Sequence, residues 1–160
     1  KELSPQVMSD LLWAASGMNR PESGKRTAPT ARNWQEIDIY VATAKGLYLY
    51  GHEEHVLIPV LDDDLRARTG RQDFTAAAPV NLVYVADYDR MGDAPEDVKK
   101  CYSWADTGFI AQNVYLYCAS AGLSNVVRGL VDRESLKKAM GLRKSQHVVF
   151  GHTVGYPVDK

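Results

Sequence analysis

The stretch from Ser103 to Ala121 restricts the possible folds more than any other part of the chain. Ile110, Val114, Tyr117, Cys118 and Ala121 recur at helical spacing and form one apolar stripe. Phe109, Leu116 and Ala119 add apolar surface on other faces of the same helix. A helix that is apolar nearly all round is buried on several sides, so other elements must be built around it. Gly122 is a natural stop. The chain has 160 residues, enough for one ordinary domain over 1–160. A chain of that size buries roughly 68–70% of its unfolded surface and needs no covalent staples.

The remaining elements follow from local signals. Ser4 and Pro5 open a first helix, and Val7, Leu11, Leu12 and Ala15 share one face of it up to Gly17. Residues 19–33 show no period and are rich in Pro, Gly and small polar residues, which reads as a loop with a short helical turn after Pro29. Structureless connections of that length are usually functional or disordered. Ile37, Ile39 and Val41 alternate with Asp38, Tyr40 and Ala42 as a strand. Leu47–Tyr50 and Val56–Leu61 form a hairpin, and Pro59 places its second arm at a sheet edge. Asp62–Thr69 reads as a short helix with acids first and arginines last. Pro79–Ala86 is a mostly buried strand, and Ser124–Gly129 is a short extended piece. Asp132 caps a helix through Met140, and His147–Tyr156 is a last strand. The order predicts a mixed α+β domain.

Composition removes several function classes. With 19 basic and 20 acidic side chains the net charge is −1, so no global field draws the chain to nucleic acid. No apolar run reaches the roughly 18–20 residues of a membrane span. Cys101 and Cys118 lack a CxxC spacing and read as small thiols in or beside the core. His52 and His55 sit beside Glu53 and Glu54, which reads as a solvated turn without a metal. His147 and His152 are five apart on a strand and point to opposite faces unless a bulge intervenes. No nucleophile elbow and no phosphate-binding glycine motif occurs. The loop that holds Arg20, Lys25, Arg26 and Arg32 against one acid, Glu22, is different. Basic side chains in irregular backbone can hold an anion, although a solvated basic loop has the same composition.

Ala28-Pro29-Thr30-Ala31-Arg32-Asn33-Trp34-Gln35, after a helix and before a strand, resembles the APSSxNxQ-type segment of the nitroreductase family of FMN-dependent oxidoreductases. Gly70-Arg71-Gln72-Asp73-Phe74, Asp106-Thr107-Gly108-Phe109-Ile110-Ala111-Gln112-Asn113, Val127-Arg128-Gly129 and Gly155-Tyr156-Pro157 agree in the same order. The resemblance covers nearly the whole chain and is nearest the compact branch that includes thiazoline- and oxazoline-oxidising domains. It implies an α+β sandwich, a mixed, mainly antiparallel sheet flanked by helices, and an intimate homodimer with FMN at the subunit interface. The long helix would then turn one side to the core and one to the partner, although interior helices of large monomers look alike.

The resemblance also implies residue roles. Pro29, Thr30 and Ala31 match the loop along the ribityl-phosphate side, Asn33 the polar residue facing the cofactor, and Gln35 its neighbour. Gln72 matches the amide at the pyrimidine edge, where a group that both donates and accepts is suited. Val127, Arg128 and Gly129 match the turn whose backbone N–H meets flavin N5. Ordinary alternatives are a turn cap for Asn33, a surface amide for Gln72 and a helix-entry turn for Gly129. The family usually starts with an Arg-x-Ser-x-Arg segment gripping the FMN phosphate, whereas this sequence starts at Lys1. Either that segment has been removed, or FMN binding is weakened, or the loop residues Arg20, Lys25, Arg26 and Arg32 compensate; the basic residue with which the family often ends is matched only by Lys160. The implied activity is NAD(P)H-dependent reduction of a nitro, quinone-like or other small-molecule acceptor, in the cytoplasm. The alternative is a diverged dimer of the same fold that binds no FMN tightly.

Overall fold

Ser4 caps the first helix, α1 (Pro5–Ser16), by accepting the Val7 N–H at 3.3 Å, with Pro5 in the first turn. The computed structural model describes residues 1–158, so Lys160 lies outside the described residues. After α1 come strands β1 (Ile37–Thr43), β2 (Gly46–Gly51) and β3 (Val56–Leu61), and a short helix, α2 (Phe74–Ala77). Next are β4 (Val80–Asp87), the long helix α3 (Glu96–Ser120), β5 (Ser124–Arg128), α4 (Arg133–Ala139) and β6 (Gln146–Gly155). The strands form one sheet in the order β3-β2-β1-β4-β6-β5, with every neighbouring pair antiparallel. The α+β, antiparallel expectation holds, and Pro59 lies on an edge strand.

Each face of the sheet carries its own core. On one, Ile37, Ile39, Val41, Leu82 and Tyr84 pack against Leu11 and Leu12 of α1 and Ile110, Ala111, Val114 and Cys118 of α3. On the other, Tyr40, Ala42, Val83, Val85 and Val148 pack against Leu65, Leu136 and Met140. β1 and β4 are therefore covered on both sides, and β1 buries even Asp38, which Arg90 holds at 2.8 and 2.9 Å. Burying a carboxylate requires such a partner.

α3 starts seven residues before the predicted Ser103, at Glu96 behind Pro95. Its first two turns are mostly charged, with Val98 and Cys101 too few to make a stripe, so periodicity does not find them; Glu96 and Asp97 suit the helix dipole there. Within one chain, the expectation of burial on several sides is met on one side. Ser103, Thr107, Ile110, Ala111, Val114 and Cys118 are buried, whereas Tyr102, Trp104, Phe109 and Leu116 are 44–62% exposed.

The predicted helix at Asp62–Thr69 is a single 3₁₀ turn, Arg66–Arg68. The Asp64 carboxylate accepts the Arg66 N–H and grips the Arg66 guanidinium at 2.9 and 2.7 Å. Such local bonds compete with helix formation.

His52 and His55 do not form a solvated turn. His52 is buried, donates from Nδ1 to the Ser16 carbonyl at 2.9 Å, and is pushed down to about 4 by burial. His55 bridges Ser9 Oγ at 2.7 Å and the Tyr50 hydroxyl at 2.8 Å, with Trp13 edge-on at 5.4 Å. The two rings dock the β2–β3 hairpin onto α1. Ser9→Ala is expected to cost about 1 kcal/mol, the net worth of one hydrogen bond. Urea unfolding should show a lower midpoint at unchanged slope; an unchanged midpoint would mean that the bridge contributes nothing.

Candidate functional site

The 17–35 loop is held by local turns and by two distant elements. Thr27 N–H donates to the Gly17 carbonyl at 2.9 Å, and Arg20 and Lys25 pair as a single bridge. The expected turn after Pro29 is a 3₁₀ turn at Ala31–Asn33. Arg32, Asn33 and Gln35 all adopt left-handed backbone, with φ of 50°, 57° and 48°. Asn tolerates that region, but for Arg and Gln it costs on the order of 1 kcal/mol each. Hydrogen bonds hold the strained run in place. Gln35 N–H donates to Thr30 Oγ1 at 2.9 Å, Gln35 Nε2 to the Gly24 carbonyl at 2.7 Å and to Asn33 Oδ1 at 3.3 Å. From outside the loop, Arg90 donates to the Gln35 carbonyl at 3.0 Å, and Asp106 of α3 accepts the Ala31 N–H at 2.9 Å.

This loop borders a cleft of about 320 Å³ lined by Arg20, Lys25 and Arg26 together with Pro29, Thr30 and Asn33. Three of the four loop cations therefore share one concavity with the small-residue segment. Arg32 does not; its guanidinium lies 5.3 Å from the Trp34 ring. Beneath the loop a crevice of about 10 Å³ is lined by Thr30, Gln35, Glu36, Asp106 and Arg26, among others. Glu36 is fully buried, and neither of its carboxyl oxygens has a donor among the described residues. Burial, reinforced by the neighbouring Asp106 carboxylate, pushes Glu36 up to about 7. Burial also raises Asp106.

A second group lies at the β5–β6 side. Arg71 N–H donates to the Leu130 carbonyl at 3.2 Å, which clips the segment carrying Gln72 to the turn after Arg128. The Gln72 side chain is half-buried, and its Oε1 is buried with no donor among the described residues. Arg128 is 3% exposed. Its guanidinium donates to the Thr69 carbonyl at 2.8 Å, Thr69 Oγ1 at 3.2 Å, Asn81 Oδ1 at 3.1 Å and Thr153 Oγ1 at 2.9 Å. Every partner is neutral, and burial pulls the group down to about 10. A Cβ on Gly70 would collide with this guanidinium, and one on Gly151 would come within 2.7 Å of the Thr69 carbonyl. Glycine is required at both positions by close approach.

His152 is part of this region's core. Its Nδ1 faces the Tyr84 hydroxyl at 2.9 Å and its Nε2 faces Asn125 Oδ1 at 2.8 Å, which fixes a neutral ring protonated on Nε2. Burial and the Arg128 charge push it down to about 3. A register shift in the β4–β6 pairing skips Val149, the bulge that the spacing of His147 and His152 left open. The two rings still do not meet, because His147 stacks on Tyr88 at 4.3 Å.

The sequence-predicted residues thus fall into two groups. Pro29, Thr30, Ala31, Asn33 and Gln35 lie together over Asp106, and Gln72, Arg128 and Gly129 lie together beside β6. The Val127 N–H is already taken by the Tyr115 hydroxyl at 2.9 Å. Sequence reasoning assigned no role to Glu36, Asp106 or the Arg128 side chain. The available signal was an acid, Asp106, one turn before Ile110 on an otherwise apolar buried stripe. For Arg128 there was none, since Thr69, Asn81 and Thr153 are remote in sequence.

Comparison with known proteins addresses the whole arrangement. Residues 1–156 match the model of the nitroreductase family. A Methanocaldococcus jannaschii protein, named as a candidate nitroreductase, is 30% identical over 152 residues, 89% of this chain and 76% of that protein. The crystal structure of a Ralstonia eutropha protein described in the same way superposes with a TM-score of 0.95 at 42% identity, covering 100% of this chain and 76% of that one. The NADPH:FMN oxidoreductase of Vibrio harveyi, solved with NAD⁺, shares the fold at a TM-score of 0.73 and 20% identity, over 99% of this chain and 62% of that one. From the first helix to the last strand, then, this chain belongs to the nitroreductase family, a family of flavin-dependent oxidoreductases.

Proposed function

We propose that two copies of this chain bind FMN between them and transfer electrons from NAD(P)H to a small-molecule acceptor by a ping-pong mechanism. The observation that carries this reading is the division of the predicted cofactor residues into two groups on one chain. If each group meets the cofactor from a different subunit, the division is what a shared site requires. Tyr102, Phe109 and Leu116, spaced seven apart on α3, form an exposed apolar row for the second copy to cover.

The residues present suit FMN. The half-buried Gln72 amide both donates and accepts, and rotation about its side chain would bring it to the pyrimidine edge. Arg20, Lys25 and Arg26 bring positive charge to the cleft beside Pro29–Asn33, where a phosphate would be held. The Arg128 guanidinium has only neutral partners, so its field favours an electron-rich group nearby. β5 is a sheet edge that ends at Arg128, so Gly129 lies just past its last paired residue. With Val127 already paired, Gly129 is the better donor toward N5. The chemistry such a cofactor supplies when bound is reversible two-electron transfer between a nicotinamide and a second small molecule in one pocket. The protein's part is position and electrostatics. A further cleft of about 620 Å³, lined by Phe74, Pro79, Asn125, Val126 and Tyr156 with Thr153, offers an apolar wall for the acceptor.

The test is steady-state kinetics with FMN present, varying NADH or NADPH against a nitroaromatic, a quinone or oxygen. Parallel double-reciprocal lines are expected; no oxidation of either nicotinamide with any acceptor would remove the reading. Asn33→Ala is expected to weaken FMN retention about tenfold, equal to about 1.4 kcal/mol, without unfolding the chain. Asn33→Gly controls for the left-handed backbone. Equal affinity in both variants and the parent, measured by fluorescence titration, would take Asn33 out of the site.

A further inference from the structure

We propose that Glu36 and Asp106 form a proton-sharing positioning pair that holds the Pro29–Gln35 segment in its cofactor-contacting shape, so that loss of the shared proton loosens the segment and weakens FMN binding. The FMN part rests on the function proposed above; the loop part does not.

Asp106 reaches from α3 to a segment 75 positions away in sequence and accepts the Ala31 N–H at 2.9 Å. Ala31 opens the run that contains three left-handed residues, so this bond clamps the strained end of the loop. Acceptance from an N–H requires an unprotonated oxygen on Asp106. Glu36, the residue next to the run, is fully buried, and among the described residues neither of its oxygens has a donor. A bare carboxylate there would be unsatisfied on both atoms, which is costly away from water. With the proton on Glu36 and its O–H hydrogen-bonded to Asp106, no bare carboxylate is left at Glu36, Asp106 stays charged toward Ala31, and only one neutral carbonyl oxygen goes without a donor among the described residues. The crevice the two share has about 10 Å³, room for one water at most. A second negative charge there has little solvent to relax into, and opening the loop is the available escape.

The other groups around the pair are these. The loop contributes Arg26, whose Nε is buried without an acceptor among the described residues. The turn after β4 contributes Tyr88 and Arg90. Arg90 is engaged by Asp38 at 2.8 Å and approached by Asp87 at 3.9 Å. From α1 the crevice receives Ser16, which carries no charge. His52, near Arg26, is neutral above about 4. Arg90 is thus occupied by other acids, and Arg26 is itself disfavoured as a charge by burial and by Arg90. Separately, burial and Asp106 put the Glu36 titration at about 7.

The experiment is amide hydrogen exchange at Ala31 and Gln35 by NMR from pH 6 to 8.5, corrected for intrinsic exchange, with and without FMN. FMN affinity is measured over the same range. In the parent protein, protection of Ala31 should fall at least tenfold as pH rises through about 7, and FMN affinity should fall with it. In Glu36→Gln, whose amide donates to Asp106 without titrating, both should stay flat. Asp106→Asn, whose amide oxygen still accepts from Ala31, should also lose the step. Constant Ala31 protection in the parent, or the same step in both variants, would overturn the pairing. A protein that shows the protection step but binds no FMN would refute the cofactor reading and leave the pair standing.

Discussion

Arg128→Ala is expected to destabilise the protein by about 3 kcal/mol, which for a chain of this size lowers Tm by roughly 6–12 °C. The parent guanidinium donates four hydrogen bonds in an environment that excludes water, tying Thr69, Asn81 and Thr153 together. Truncation leaves the Thr69 carbonyl and part of Asn81 without donors and opens a cavity the size of the side chain. Both effects destabilise, each by about 1–3 kcal/mol. Acting against them, truncation removes the cost of burying a charge that has no anionic partner. Four satisfied bonds outweigh that relief. Arg128→Lys should not rescue fully, because an ammonium cannot serve the planar fork. Gly70→Ala tests the same network from outside, since its methyl group would displace the guanidinium from a position that four bonds fix. Urea unfolding at constant pH measures all three, and an Arg128→Ala loss under about 1 kcal/mol would show that the network does little for stability.

Glu36→Gln should stabilise the protein at pH 8 by about 2–3 kcal/mol and flatten its stability–pH curve. The Glu36 carboxyl titrates at about 7 folded, against an ordinary 4.5. The folded state therefore binds more protons than the unfolded state between those values. For such a group stability is greatest below about 4.5, declines as pH rises, and has lost the full contribution above about 7. Burial raises Asp38 and Asp106 as well, so they act with the same sign, while Asp64, held down by Arg66, acts with the opposite sign. Subtracting the Gln variant's curve from the parent's isolates Glu36. Urea midpoints at pH 5 and pH 8 decide it: the parent should drop between them by more than the variant. Parallel curves would mean that Glu36 is ionised without penalty.

Signals that act within a few residues were legible in the sequence. Ser4 caps α1, Asp132 caps α4 by accepting the Ser135 N–H at 3.1 Å, and Gly122 ends the long helix with φ of 67°. Pro59 marks an edge strand because its missing N–H is tolerated only there. What failed depends on partners far along the chain. His55 looks solvated beside two glutamates until Ser9, 46 positions away, is placed on it. Arg128 reads as part of a backbone turn until Thr69, 59 positions away, receives its guanidinium. The first turns of α3 are opened by Pro95 and two acids, and their few apolar residues, Val98, Cys101 and Tyr102, are too sparse for a hydrophobic stripe to report them. The candidate site was legible as a set of positions in order. Its division into two groups, and the acids beneath one of them, emerged only from the fold.

The central claim is that two chains share FMN, and the most direct test is a fluorescence-quenching titration of FMN with the mass of the complex followed by light scattering. The account predicts saturation at one FMN per chain in a particle of twice the chain mass. Saturable binding by a single chain, or a dimer that quenches no flavin fluorescence at any concentration, would contradict it.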